Sequence, residues 1–168
     1  MPDRSAITKA TVGGRRVRLR LLERADERLI RRFYYRLSPD TIYRRFLAPV
    51  VPPADTLVRR LDHCRKEALV ALDARGIAGI ARYAASPNGS DYDVAVVVAD
   101  DWQGRGLGRM LIRRLAHIAR RRGISRFHAT MLGDNRRAQA LVLGLAPTAT
   151  MRFSGGVIEA DIPLRRPA

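Results

Sequence analysis

Cysteine is almost absent: Cys64 stands alone, so no intrachain disulfide is available and a cysteine-rich metal site is excluded. Histidine is scarce and scattered, with His63, His117 and His128 too far apart in sequence to suggest a metal site. Lysine is nearly missing as well; of the 32 basic residues all but Lys9 and Lys66 are arginine. Long apolar runs are lacking, and nothing approaches the ~20 residues of a membrane-spanning helix. The N-terminal stretch has no apolar core of the kind a secretory signal carries, which favours a cytoplasmic protein. Acidic residues number 16, half the basic count, leaving a formal charge of +16.

That charge has two readings. One is an anionic partner such as nucleic acid, an acidic protein or a polyphosphate. The other is an arginine-rich solvated surface. The basic pairs are spread from Arg15-Arg16 to Arg165-Arg166 without the clustering and interleaved aromatics of a dedicated nucleic-acid face, which favours the second. With 46% apolar residues over 168 positions, the chain can bury a core, and it has no repeats or low-complexity linkers. Residues 1–14 are expected as a flexible tail and 15–168 as one domain.

Periodicity gives the elements. Arg16 to Leu21 alternates basic and apolar, a strand with one covered face. Leu29, Ile30, Phe33, Tyr34 and Leu37 repeat at helical spacing opposite Arg28, Arg31, Arg32 and Arg36. Ser38-Pro39-Asp40 restarts a short helix, and Asp55 begins another. Strands follow at Ala68–Leu72, Ile77–Ala84 and Val94–Val98, the last continuous enough for a sheet centre. A helix built on Leu107, Met110, Leu111, Leu115, Ile118 and Ala119 ends at Gly123. A strand at Phe127–Met131, a short helix from Asp134 to Leu143, and a strand pair at Thr150–Phe153 and Val157–Leu164 complete the order. The fold class is α/β, with a mixed central sheet of about seven strands and about four flanking helices.

The stretch Gln103-Gly104-Arg105-Gly106-Leu107-Gly108-Arg109 carries chemistry, because it joins a buried strand to a helix start. Unpaired amides and the helix dipole there favour an anion, and glycines let the backbone approach it closely. A nicotinamide loop would belong to the first strand and be followed by an acidic ribose ligand; neither holds, and the lysine of a nucleotide P-loop is missing.

These residues resemble the Gln/Arg-x-x-Gly-x-Gly/Ala signature of the GNAT superfamily of N-acetyltransferases. The element order from Arg16 to Leu164 is similar too, and Asn135 falls where that family has an Asn opening the next helix. Leu37 to Phe46, Gly79 to Tyr83 and Asp93 to Val98 further resemble the catalytic domain of bacterial Pat-type protein lysine acetyltransferases. The resemblance implies acetyl-CoA as cosubstrate and an amine acceptor, a protein lysine in the Pat-like case, with no metal. It implies that Gln103 to Arg109 hold the pyrophosphate, that the backbone of Val96, Val97 and Val98 receives the pantetheine arm, and that Asn135 reaches the cofactor. Asn135 serves equally as a helix cap, and Arg105 and Arg109 equally as exposed helix residues.

Asp93 stands where Pat-like enzymes place a Glu and is the candidate general base, with Asp91 as reserve; an ordinary strand-end carboxylate is the plain reading. A lysine ammonium with a pKa of ~10.4 must lose a proton before attack. The oxyanion is expected at an amide near Val98. The resemblance implies a Tyr on the last helix to protonate the leaving thiolate, but Ala140, Leu141 and Val142 occupy that region here. His128 is expected as a core residue, and Trp102 as packing for the loop. Alternatives are a small-molecule amine acetyltransferase and a catalytically degenerate acyl-CoA sensor, as a monomer or homodimer.

Overall fold

In the computed structural model, residues 7–59 and 61–164 are described. The strands are β1 (Thr8–Val12), β2 (Arg15–Leu21), β3 (Lys66–Asp73), β4 (Gly76–Ala85), β5 (Tyr92–Val98), β6 (Arg126–Leu132), β7 (Thr150–Ser154) and β8 (Val157–Pro163). The helices are α1 (Glu27–Tyr35), α2 (Pro39–Phe46), α3 (Ala54–Arg59), α4 (Leu107–Arg121) and α5 (Arg136–Leu145). One sheet runs in the order β1-β2-β3-β4-β5-β6-β8-β7. Every neighbouring pair is antiparallel except β5 and β6, which are parallel. The α/β class and mixed sheet are as expected.

The extra strand comes from the expected tail. Residues 8–12 pair with β2 from Thr8↔Leu19 to Val12↔Arg15. Gly13 and Gly14 both hold positive φ, 54° and 77°, and turn the chain tightly enough to make a hairpin. Val12 is buried, so this short edge has its own anchor. Residues 1–6 of the expected tail lie outside the described residues.

Local sequence sets the helix ends. Ser38 Oγ accepts from the Thr41 amide at 3.2 Å, capping α2 with Pro39 in its first turn. At the other end of α4, Gly123 takes φ 81°. Its amide donates to Arg120 and that of Ile124 donates to Ala119, each at 3.0 Å, the paired bonds of a Schellman close.

The two sheet faces follow from the pleat. A Cβ on Gly79 would lie 2.9 Å from Leu111 Cδ1, so the Gly79, Ala81 and Tyr83 face meets α4. Leu107, Leu111, Ile112, Leu115, Ala116 and Ala119 supply the buried stripe of that helix. The opposite face, which carries Arg82, is covered by α1 and α2; Tyr34 and Arg45 from those helices act electrostatically on one another and on Arg82.

Candidate active site

The sheet opens at its centre. β5 pairs with β4 along its whole length, and β6 pairs with β8 along its whole length. Between them the parallel register holds only at Asp93↔His128. Beyond that bridge the strands part into a wedge lined by Val94, Ala95, Val96, Ala129, Met131 and Asn135.

Backbone parity decides what faces it. The Ala99 amide donates to the Ala78 carbonyl of β4 at 2.8 Å. N–H and C=O of one strand residue point to the same side and alternate along the chain, so Val97 and Ala95 also serve β4. Val96 and Val98 face the wedge. Of the three valines expected to receive an extended arm, Val97 is therefore the one turned away, and its side chain is buried in the core. Val98 already accepts Gln103 Nε2 on its carbonyl at 3.2 Å, leaving its amide.

The glycine-rich loop closes the wide end. Gly104 and Gly106 hold φ of 73° and 90°, where a side chain would strain the backbone. Gly106 is the N-cap of α4 and offers no side-chain cap. The first helical bond runs from Met110 to Gly106, so the amides of Leu107, Gly108 and Arg109 have no acceptor within the helix. With the dipole of a 15-residue helix behind them, they form an anion cradle. Gly108 lies where a Cβ would touch Leu141 and Val98 at 3.5 Å, so α4, α5 and β5 converge there.

Side chains brace the loop. Gln103 Nε2 also donates to Thr41 Oγ1 at 3.0 Å, and its Oε1 accepts from Arg137 at 2.5 Å. Asp100 accepts from the Ser38 amide at 3.0 Å, Ser38 Oγ at 2.6 Å and Thr41 Oγ1 at 2.8 Å. Burial pushes the Asp100 carboxyl up, but these bonds outweigh it and hold it below its ordinary value. This tether of α2 to the loop was not visible in the sequence, since nothing local links positions 38 and 100. Trp102 is buried as expected and donates to Asp73 at 2.7 Å, with the Arg15 guanidinium 3.9 Å over its ring.

Two expected phosphate ligands differ from each other. Arg105 folds back, its Nε on the Asp101 carbonyl at 3.1 Å and its stem against Gly13 of the β1–β2 turn. Arg109 is exposed on the first turn of α4, beside Gly144. Asn135 caps α5 through Oδ1, which accepts the Ala138 amide at 3.2 Å. It lines the wedge at the same time, so its cap role and its place beside a bound cofactor are compatible.

At the narrow end Asp93 is exposed. His128, expected in the core, is instead partly exposed next to it in register. Its Nε2 lies 3.3 Å from Asp91 and its Nδ1 4.0 Å from Asp161, because β6 there forms the lip of the wedge rather than its floor. Nearby, burial pushes the Tyr34 phenol up, against the influence of Arg45 and Arg82. Burial, then the like charge of Arg82, brings the Arg45 guanidinium down to about 10, with Tyr34 opposing. Among the described residues no group of three or more His, Cys, Asp and Glu could hold a metal, and no helix is long and apolar enough to cross a membrane.

Residues 23–144 match the model of the acetyltransferase (GNAT) family. Acetyltransferase PA5475 of Pseudomonas aeruginosa is 36% identical over 140 residues, covering 79% of this chain and 75% of that protein. The GNAT domain of S. lividans PAT has a similar fold, with a TM-score of 0.82 at 24% identity over 94% of this chain and 96% of that one. The same fold recurs in yncA from Salmonella typhimurium, solved with its cofactor acetyl-CoA, with a TM-score of 0.71 at 19% identity over 98% and 97% of the two chains.

Proposed function

Because the chain belongs to the GNAT acetyltransferase family, an N-acetyltransferase with acetyl-CoA as cosubstrate, we propose that it acetylates a protein lysine by direct attack, with Asp93 as the general base. The observation that carries this reading is the wedge between β5 and β6, which runs from the Gly-rich loop to a single bridge at Asp93. The pyrophosphate belongs on the amides of Leu107, Gly108 and Arg109. The pantetheine arm lies along β5 as an added strand, on Val96 and the Val98 amide. From Val98 back to Val94 the open strand edge spans about 13 Å at the usual rise. The acetyl group then reaches the Asp93 end.

The acceptor arrives on the face that carries Asp93 and Arg82. Asp93 takes a proton from the ammonium, whose pKa of ~10.4 otherwise withholds the lone pair. The nitrogen attacks the thioester carbon; the C–N bond forms, the C–S bond breaks, and the second amine proton passes through water to the leaving thiolate. The first amide beyond the bridge that faces the wedge is that of Val96, two residues from the expected amide near Val98, and the oxyanion is assigned to it. The Pat-like segments Leu37–Phe46 and Asp93–Val98 support a protein acceptor, and the charge of +16 supports an acidic one.

Asp93→Asn tests the mechanism. Turnover should fall about 10²–10⁴-fold, the usual worth of a positioned base, while acetyl-CoA affinity stays unchanged. Unaltered turnover in that variant removes Asp93 from the mechanism.

A further inference from the structure

Beside the acceptor face lies a recess between α2, α3 and β4, and Arg45 and Arg82 both line it, together with Tyr34, Phe46 and Leu57. Arg45 also lines the wedge, so the recess and the wedge share a wall. Arg45 comes from the last turn of α2, with its guanidinium 4.7 Å over the Phe46 ring. Arg82 comes from β4 opposite Ala95. Both are half-buried.

Some other half-buried arginines have carboxylates: Arg44 has Asp40 and Asp134, Arg20 has Asp26, and Arg122 has Glu67. Among the described residues, neither Arg45 nor Arg82 has a carboxylate within 4.0 Å. Glu67 lines the recess but does not supply one, because its carboxylate is taken by Arg122 at 2.8 Å and lies 3.1 Å from His63 on its other oxygen. Two cations held partly out of water, with Asp93 acting on Arg82 only from a distance and no carboxylate within hydrogen-bond reach, are costly unless a ligand completes them. Guanidinium forks match a carboxylate.

The opposite charge lies close by. Asp93 pairs with Ala84, two residues along β4 from Arg82, a diagonal relation of roughly 7–8 Å between positions. Asp91 and Asp161 flank His128 beside it. The site therefore has an anionic pole for an ammonium and a cationic pole one diagonal away.

We propose that Arg45 and Arg82 form a carboxylate-binding subsite, so that the acceptor carries a carboxylate within about 8 Å of its reacting amine. This rests on the acceptor face assigned above. The carboxylate has two sources, an acidic side chain flanking the lysine or the carboxyl group of a free amino acid.

Matched acceptors test it. One arm compares a blocked lysine peptide flanked by Glu with its Gln counterpart; the other compares free α-amino acids with their α-carboxamides. The carboxylate member should be preferred about 10- to 100-fold in kcat/KM in at least one arm, the scale of one charge-assisted contact. Arg82→Gln and Arg45→Gln should lower kcat/KM for the carboxylate member more than for the neutral one, so that the ratio between the two falls toward one.

Equal use of both members in both arms, or a preference untouched by both variants, overturns the proposal. A response confined to the amino-acid arm refutes the protein acceptor while this subsite stands. If no acceptor turns over, the melting of the protein saturated with coenzyme A decides. An N-acetyl amino acid must raise Tm more than its amide, and Arg82→Gln must abolish the difference; no difference overturns the subsite.

Discussion

Glu67 is fully buried, at 0% exposure, and its charge is held by a network of donors. One carboxylate oxygen meets Arg122 Nη2 at 2.8 Å; the other lies 3.1 Å from His63 Nδ1 and accepts the Ala68 amide at 3.2 Å. Arg122 in turn donates to the Tyr83 hydroxyl at 2.7 Å, tying the C-terminal end of α4 to β3 and β4. Glu67→Gln keeps the shape but removes the charge, and one oxygen becomes an NH2 facing donors. Breaking a buried pair costs about 3–5 kcal/mol. Arg122 keeps 20% exposure, so water recovers part of this, leaving about 2–3 kcal/mol. For a chain of this length that lowers Tm by roughly 5–10 °C. Thermal unfolding followed by circular dichroism reads the shift, and acetyl-CoA affinity should be unchanged because the network sits at the end of α4 away from the Gly-rich loop. A Tm equal to that of the parent protein refutes the reasoning, and means that the desolvation of the pair already cancels its attraction.

Two further outcomes follow from the packing and the charges. Gly79→Ala forces a Cβ to within 2.9 Å of Leu111 Cδ1 and 3.3 Å of the Val97 carbonyl; denaturant unfolding should show a loss of about 1–3 kcal/mol, the usual cost of overpacking. Burial pushes the Asp26 carboxyl up, but the hydrogen bonds from Arg20 and the Glu23 amide outweigh it and hold it below its ordinary value. A depressed folded pKa stabilises above the unfolded value of ~3.9 and loses that contribution as pH falls through the folded value, so stability should drop in acid and Asp26→Asn should flatten the slope of Tm against pH there.

The sequence was informative where local chemistry decides structure. The strand at Val94–Val98, the cap at Ser38 and the stop at Gly123 all follow from residue type and spacing, and the structure has them within a residue or two. The first hairpin was hidden because Thr8-Lys9-Ala10-Thr11-Val12 is short, polar and glycine-flanked, and its strand character depends on the β2 edge that it joins. The wedge was hidden for a different reason. That β5 and β6 touch at one register point and then part is a tertiary fact, and so is the parity that points Val96 and Val98 into the gap and Val97 out of it. The partial exposure of His128 has the same cause, since a strand pattern does not reveal which strand forms a lip. Arg45 and Arg82 look like any of the chain's arginines until the fold brings both to the wall of one recess.

The central claim is that the Gly-rich loop at the start of α4 binds the pyrophosphate of acetyl-CoA. Calorimetric titration of acetyl-CoA into the protein, beside a Gly106→Glu variant checked for folding by circular dichroism, tests it most directly. Gly106 holds φ 90° at the N-cap, so a glutamate there brings both backbone strain and an anion to the cradle. Saturable one-to-one binding to the parent protein and none to the folded variant is the expected result. Absence of binding to the parent, or equal binding to both, contradicts it.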